Sequence, residues 1–197
     1  IGDAVRDGAL NVIARVSNAA MVLVNPSAFV RDDLAFWPWQ IEPTHHLRRP
    51  DGAPVLMQAT ENGTWVTAGD LQPYSVMPLV MGEGVTGAVE TGLSVTPTVL
   101  ENDHVRVELN TAGDIVRVFD KSVRREVLAP GRVANQFQAF EDRPLNWDAW
   151  DVDIFYDDRM WLAEPAESIE VVEAGPLRAS IEIRRCILNS IFTQRIS

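Results

Sequence analysis

Residues 105–119 read VRVELNTAGDIVRVF, and this stretch decides the fold. Val105, Val107 and Leu109 alternate with Arg106 and Glu108, so a pleated strand would place three apolar side chains on one face and two charged ones on the other. Thr111-Ala112-Gly113-Asp114 supplies turn chemistry, and residues 115–119 resume the apolar pattern, which predicts an antiparallel hairpin. A second hairpin is expected downstream, where residues 169–172 and the alternating Leu177, Ala179, Ile181 and Ile183 flank Ala174-Gly175-Pro176. Residues 191–197 read as another strand. Upstream, residues 21–24 form a short apolar run closed by Asn25-Pro26. Residues 55–58, 64–66 and 75–80 follow, each bounded by Gly, Pro or Asp.

Helical spacing is confined to the start of the chain, at Val5, Ala9, Val12, Ile13 and Val16, with Asp3 placed to cap the first turn and Ser17-Asn18 to end it. Such a helix needs a cover for its apolar stripe, either the sheet that follows or helices elsewhere in a longer protein. Residues 82–92 hold four glycines and no clear period, which predicts a connection between two β units. The domains expected are a helix at 1–17, a small β-sandwich at 18–88 and a larger β-domain at 89–197. The opening residues and the abrupt final strand both read as a piece of a larger protein, with its last sheet edge unprotected.

Composition narrows the function. Asp and Glu outnumber Lys and Arg 28 to 17, for a net charge of -11, so a nucleic-acid backbone would be repelled. The doublets Arg48-Arg49, Arg124-Arg125 and Arg184-Arg185 read as ordinary solvated positions rather than a basic patch. No apolar run is long enough to span a bilayer, so a membrane partner is not expected. Cys186 is the only cysteine, which excludes an internal disulfide and fits a reducing, cytoplasmic setting. Its position after Ile181 and Ile183 and beside Ile187 predicts a buried thiol.

No G-x-S-x-G element is present, and Gly82-x-Gly84-x-x-Gly87 leads into no helix, so it matches a dinucleotide fingerprint by letters alone. His45-His46, between Pro43 and Pro50, is expected in a loop, where neighbouring imidazoles point apart and a metal would need ligands from elsewhere. His104 reads as a surface residue. Asp148, Asp151 and Asp153 lack the glycine and distal glutamate of a calcium loop. The richest chemistry lies in residues 135–158, NQFQAFEDRPLNWDAWDVDIFYDD, where indoles alternate with carboxylates. Flat aromatic faces stack on the C–H faces of sugars, while carboxylates accept hydrogen bonds from hydroxyls. The bland alternative makes Trp147, Trp150 and Phe155 core anchors, with the aspartates capping turns.

The string Asn135-Gln136-Phe137-x-x-Phe140-Glu141-Asp142-x-Pro144-x-x-Trp147-Asp148-Ala149-Trp150-Asp151 resembles the carboxy-terminal region of family 38 glycoside hydrolases, the class II α-mannosidases. Residues 100–107, LENDHVRV, the run Gly113-Asp114-Ile115 with Asp120-Lys121, and residues 22–26, VLVNP, support it. The resemblance implies an all-β architecture, a small β unit followed by a galactose-mutarotase-like supersandwich, with the first helix left over from a helical bundle. It also implies that the full-length parent is a retaining α-mannosidase whose zinc and catalytic carboxylates belong to its own amino-terminal catalytic domain. This piece would then be inactive alone, need no cofactor and hold no catalytic residue. Its expected contribution is a wall of the mannoside pocket, built from Asp142, Trp147, Asp148, Trp150 and Asp151. Association into oligomers is left open. Two other functions compete: a free-standing carbohydrate-binding module, and a sugar isomerase or lyase using carboxylates and His104 as acid and base.

Overall fold

The computed structural model describes residues 2–17, 19–67, 69–85, 87, 89 and 91–197. Asn18, expected to help end the helix, and Thr86, Ala88 and Glu90 of the expected connection lie outside the described residues. The chain divides into two compact units, one of Ile1–Thr91 with Gly175–Arg178, the other of Gly92–Ala174 with Ala179–Ser197. Apart from one α-helix and a short 3-10 turn, the described elements are strands, as an all-β fold requires.

In the first unit, α1 (Gly2–Ser17) precedes β1 (Met21–Asn25), β2 (Ala35–Trp37), β3 (His45–Arg48), β4 (Leu56–Thr60), β5 (Gly63–Thr67) and β6 (Ser75–Glu83). Two antiparallel sheets result, ordered β1-β6-β3 and β2-β5-β4. Met21, Leu23, Leu47, Val55, Val66 and Leu79 form their shared core, with Trp37, Ile41 and Met57 packed against it. The period-2 alternation of β1 puts Met21, Leu23 and Asn25 inward. Buried Asn25 is fully engaged. Its amide donates to the carbonyls of Phe29, Leu71 and Gln72 at 2.9, 3.0 and 3.0 Å, and its Oδ1 accepts from the backbone and hydroxyl of Ser27. A buried amide satisfied in this way fixes the loop after the strand.

Three expectations are corrected here. The helix forms, but no residue of it is buried, and Val5, Val12 and Val16 face solvent. Leu10, Ile13 and Ala14 are its half-buried side instead. Asp3 is not its cap but sits within the first turn, paired with Arg6 at 3.0 Å, while the Ser17 hydroxyl closes the far end on the carbonyls of Ile13 and Ala14. His45-His46 lies in a strand rather than a loop, because β3 pairs with the far end of β6, and that strand runs on through Gly82 and Glu83 of the expected connection. Nothing in the Pro-flanked local sequence announces this pairing. It exists only because β6 is long enough to take β1 and β3 along different parts of its length.

The second unit begins with an antiparallel meander of β7 (Ser94–Thr96), β8 (Val99–Glu101), β9 (Val105–Leu109), β10 (Ile115–Asp120) and β11 (Arg125–Glu126). The predicted hairpin is β9–β10. Gly113 takes φ +83° in its turn, and the Asn110 carbonyl and side chain accept from Gly113 and Asp114. A three-stranded sheet of β14 (Ser168–Ala174), β15 (Ala179–Ile187) and β16 (Ser190–Ile196) contributes Ala179, Ile181 and Ile183 to a core shared with Leu100 and Leu109. Between these sheets in sequence, β12 (Gln138–Phe140) and β13 (Met160–Leu162) form a two-stranded ladder.

The alternation of β15 does not stop at Ile183. Arg185 takes the next inward position and is 1% exposed, correcting its reading as a solvated residue. Nη1 and Nη2 each donate to Asp114 Oδ1 at 2.9 Å, and Nη2 also donates to the Ala112 carbonyl. Cys186, one position out of phase, is half-buried rather than buried. Its thiol donates to Glu167 at 3.1 Å, and that carboxylate holds the thiol pKa above its ordinary value, with burial adding to the effect.

Candidate functional site: the aromatic and acidic loop

The β12–β13 ladder is the stalk of the segment that the sequence singles out. Phe140 pairs with Met160, and the Glu141 N–H donates to the Arg159 carbonyl at 3.0 Å, so the ladder extends one bond past the strands. The Glu141 carboxylate is gripped from both sides by Arg143 at 2.7 Å and Arg159 at 3.3 Å. At the far end Asp153 caps the 3-10 turn of Ile154–Asp158 by accepting from the Ile154 N–H at 2.7 Å. Tyr156 in that turn meets Phe140 edge-on at 5.3 Å. These contacts brace the loop from within.

Beyond the brace the chain makes a tight reversal. The Trp147 carbonyl accepts from the N–H groups of Trp150 at 2.7 Å and Asp151 at 3.0 Å, bringing Trp147, Asp148, Trp150 and Asp151 onto one turn. Trp147 adopts φ +62°, a left-handed conformation that a bulky L-residue takes at a cost of about 1–2 kcal/mol. Glycine or asparagine would hold this turn more cheaply. Trp147 is 75% exposed and Trp150 91%, so neither indole is a core anchor, and Phe155 is also exposed. The core-anchor reading therefore fits none of the three aromatic residues among the described residues, while the capping reading holds for Asp153.

Of the five site residues expected from sequence, the structure therefore gathers four on one turn. Asp142 lies on the stalk side, beside Glu141, and no hydrogen bond joins it to that turn among the described residues. The carboxylates of Asp142, Asp148 and Asp151 make no hydrogen bond or ion pair among the described residues. Residues 141–158 carry Glu141, Asp142, Asp148, Asp151, Asp153, Asp157 and Asp158 against Arg143 alone. The segment thus presents exposed indole faces beside carboxylates with open acceptor capacity, an arrangement able to take a polyhydroxylated ligand.

The base of the loop is fastened by Gln194 and Phe192, two residues of the last strand that sequence reading does not connect to Asn135 and Phe137. Asn135 and Gln194 exchange two amide hydrogen bonds, Nδ2 to Oε1 at 2.9 Å and Nε2 to Oδ1 at 2.7 Å. Phe137 and Phe192 meet with ring centroids 4.5 Å apart. The only local trace of this is the matching i, i+2 spacing of an amide and a phenylalanine in each segment. Among the described residues no group of three or more His, Cys, Asp or Glu side chains is placed to hold a metal ion. No helix among them is long and apolar enough to cross a membrane.

Comparison with known proteins agrees with this reading of the fold. Residues 100–197 match the glycosyl hydrolases family 38 C-terminal domain, and the chain belongs to that family. Over 144 residues it is 35% identical to human α-mannosidase 2C1 and 34% identical to the mouse protein, covering 73% of this chain and 14% of each relative. α-Mannosidase G of Dictyostelium discoideum is 30% identical over 101 residues, covering 49% of this chain and 9% of that protein. The chain thus spans about one-seventh of the length of its mammalian relatives. An α-mannosidase from Enterococcus faecalis V583 shares the fold with a TM-score of 0.55 at 16% identity, over 83% of this chain and 23% of that one.

Proposed function

We propose that this chain is the non-catalytic C-terminal part of a retaining α-mannosidase, and that its 141–158 loop forms one wall of the mannoside pocket. Trp147 and Trp150 would stack on the C–H faces of the sugar and exclude water, while Asp142, Asp148 and Asp151 accept hydrogen bonds from its hydroxyls. The observation that carries this is the turn itself. A tryptophan is held in a strained left-handed conformation with its ring exposed among the described residues, and backbone strain of this kind clusters at ligand-binding sites. We assign the zinc implied by family membership, with the nucleophile and the acid–base carboxylate, to other parts of the full-length protein. This chain's own chemistry is binding and orientation. The free thiol of Cys186 suits a reducing, cytoplasmic setting.

The test uses the full-length protein and an aryl α-mannoside. Asp148→Ala and Trp150→Ala should raise KM or lower kcat with the melting temperature unchanged. Trp147→Gly should also raise KM or lower kcat, but with a gain of about 1 kcal/mol of stability, because glycine accepts the left-handed turn. Unchanged kinetics in all three variants would end the pocket-wall reading. The exposure of Trp150 also favours a second reading, a module that binds sugar without the rest of the enzyme. Quenching of tryptophan fluorescence when mannosides are titrated into the isolated chain would support it, and a flat titration would count against it.

A further inference from the structure

We propose that Asn135 and Gln194 form an amide lock that positions the 141–158 loop for its ligand, making Gln194 of β16 a positioning residue for sugar binding. This rests on the pocket-wall reading above. The chain enters the loop from Ala134, whose N–H and carbonyl bridge Ile115 at 2.8 and 3.0 Å. Asn135 then reverses direction at φ +60°, a conformation that asparagine tolerates better than other non-glycine residues. Its side chain is not spent on the local backbone. It faces Gln194 in a reciprocal pair in which each amide donates once and accepts once, so both amide planes are fixed in one orientation.

Phe137, two residues after Asn135, meets Phe192, two residues before Gln194, with tilted rings, and on β16 the i, i+2 interval places Phe192 and Gln194 on one face. The second leg of the loop closes on the same point. The Ala163 N–H donates to the Phe137 carbonyl at 3.0 Å, and the Glu164 N–H donates to the Cys186 carbonyl on β15 at 2.8 Å. Both legs therefore leave one fastened base. The loop beyond has exposed indoles and no buried core residue of its own, so its orientation is inherited from that base. A small shift there displaces the binding groups, and ligand contacts fail steeply with displacement. A lock made of neutral amides is also indifferent to pH.

The experiment compares Asn135→Gly, Gln194→Ala and the double variant in the full-length protein. Glycine preserves the left-handed turn, so Asn135→Gly removes only the side-chain bonds. Loss of the lock should speed amide exchange in residues 138–163 by about tenfold, leave exchange in β9 and β10 unchanged, and raise KM for an aryl α-mannoside more than it lowers kcat. The double variant should match either single one, since both remove the same pair. A purely structural role would reduce the active fraction, lowering kcat at constant KM, and that result overturns the proposal. Unchanged exchange in Gln194→Ala overturns it as well. If exchange quickens and KM stays constant while Trp150→Ala still raises KM, the lock is discarded and the pocket wall survives. If Asp148→Ala, Trp150→Ala and Trp147→Gly leave kinetics untouched, the wall and the lock fall together.

Discussion

Replacing Asp114 with alanine should destabilise the protein by about 3–5 kcal/mol, a large fraction of the stability of a typical domain. The Arg185 side chain is 2% exposed, and Asp114 Oδ1 accepts both of its terminal nitrogens at 2.9 Å. Two hydrogen bonds to a charged group at about 1.5–3 kcal/mol each give about 3–6 kcal/mol, in line with the cost of leaving one partner of a buried ion pair uncompensated. The Ala112 carbonyl would remain as a single acceptor, too little to replace a carboxylate. Arg184–Glu167 is the control, with Arg184 one position away on the same strand and both partners half-exposed, and Glu167→Ala should cost far less than Asp114→Ala because solvent screens the pair. The sign of a further change makes the test sharper. Adding Arg185→Met to Asp114→Ala should recover stability, because the buried charge is removed and an apolar chain fills its place. Urea unfolding followed by far-ultraviolet circular dichroism measures all of these. A loss below about 1 kcal/mol for Asp114→Ala, or a double variant weaker than the single one, would refute the argument.

The remaining predictions concern titration. Cys186 should alkylate slowly at neutral pH because the Glu167 carboxylate and burial hold its thiol protonated, and Glu167→Gln should accelerate reaction with iodoacetamide. Equal rates in the two proteins would show that the carboxylate does not control the thiol. On the meander, Lys121 and then Arg106 hold the Glu101 carboxyl below its ordinary pKa, and Arg106 and Arg117 do so for Glu108. A depressed folded-state pKa contributes stability that is fully present above the unfolded value of about 4.3 and is lost as pH falls through the lower folded values. The urea midpoint of the native protein should therefore fall more steeply with acidification in that window than that of Glu101→Gln/Glu108→Gln, and parallel curves would argue against the network.

Sequence by itself determined the strands whose apolar residues alternate within a few positions, such as β1, β9 with β10, β14 with β15, and β16, because a period of two is a local property of the chain. It also marked the aromatic and acidic loop, since the chemistry of indoles beside carboxylates can be read without coordinates. Burial is not local in that sense. Tertiary structure alone decided that His45–Arg48 is a strand, because its hydrogen bonds come from the far end of β6. It decided that Arg185 lies inside, because Asp114 meets it from 71 residues away, and that Val5, Val12 and Val16 find no cover among the described residues. It also decided that Trp147 and Trp150 face solvent and that Gln194 fastens Asn135 from 59 residues away. A side chain's partner across such separations is selected by the packing of whole sheets, which no window of neighbouring residues contains.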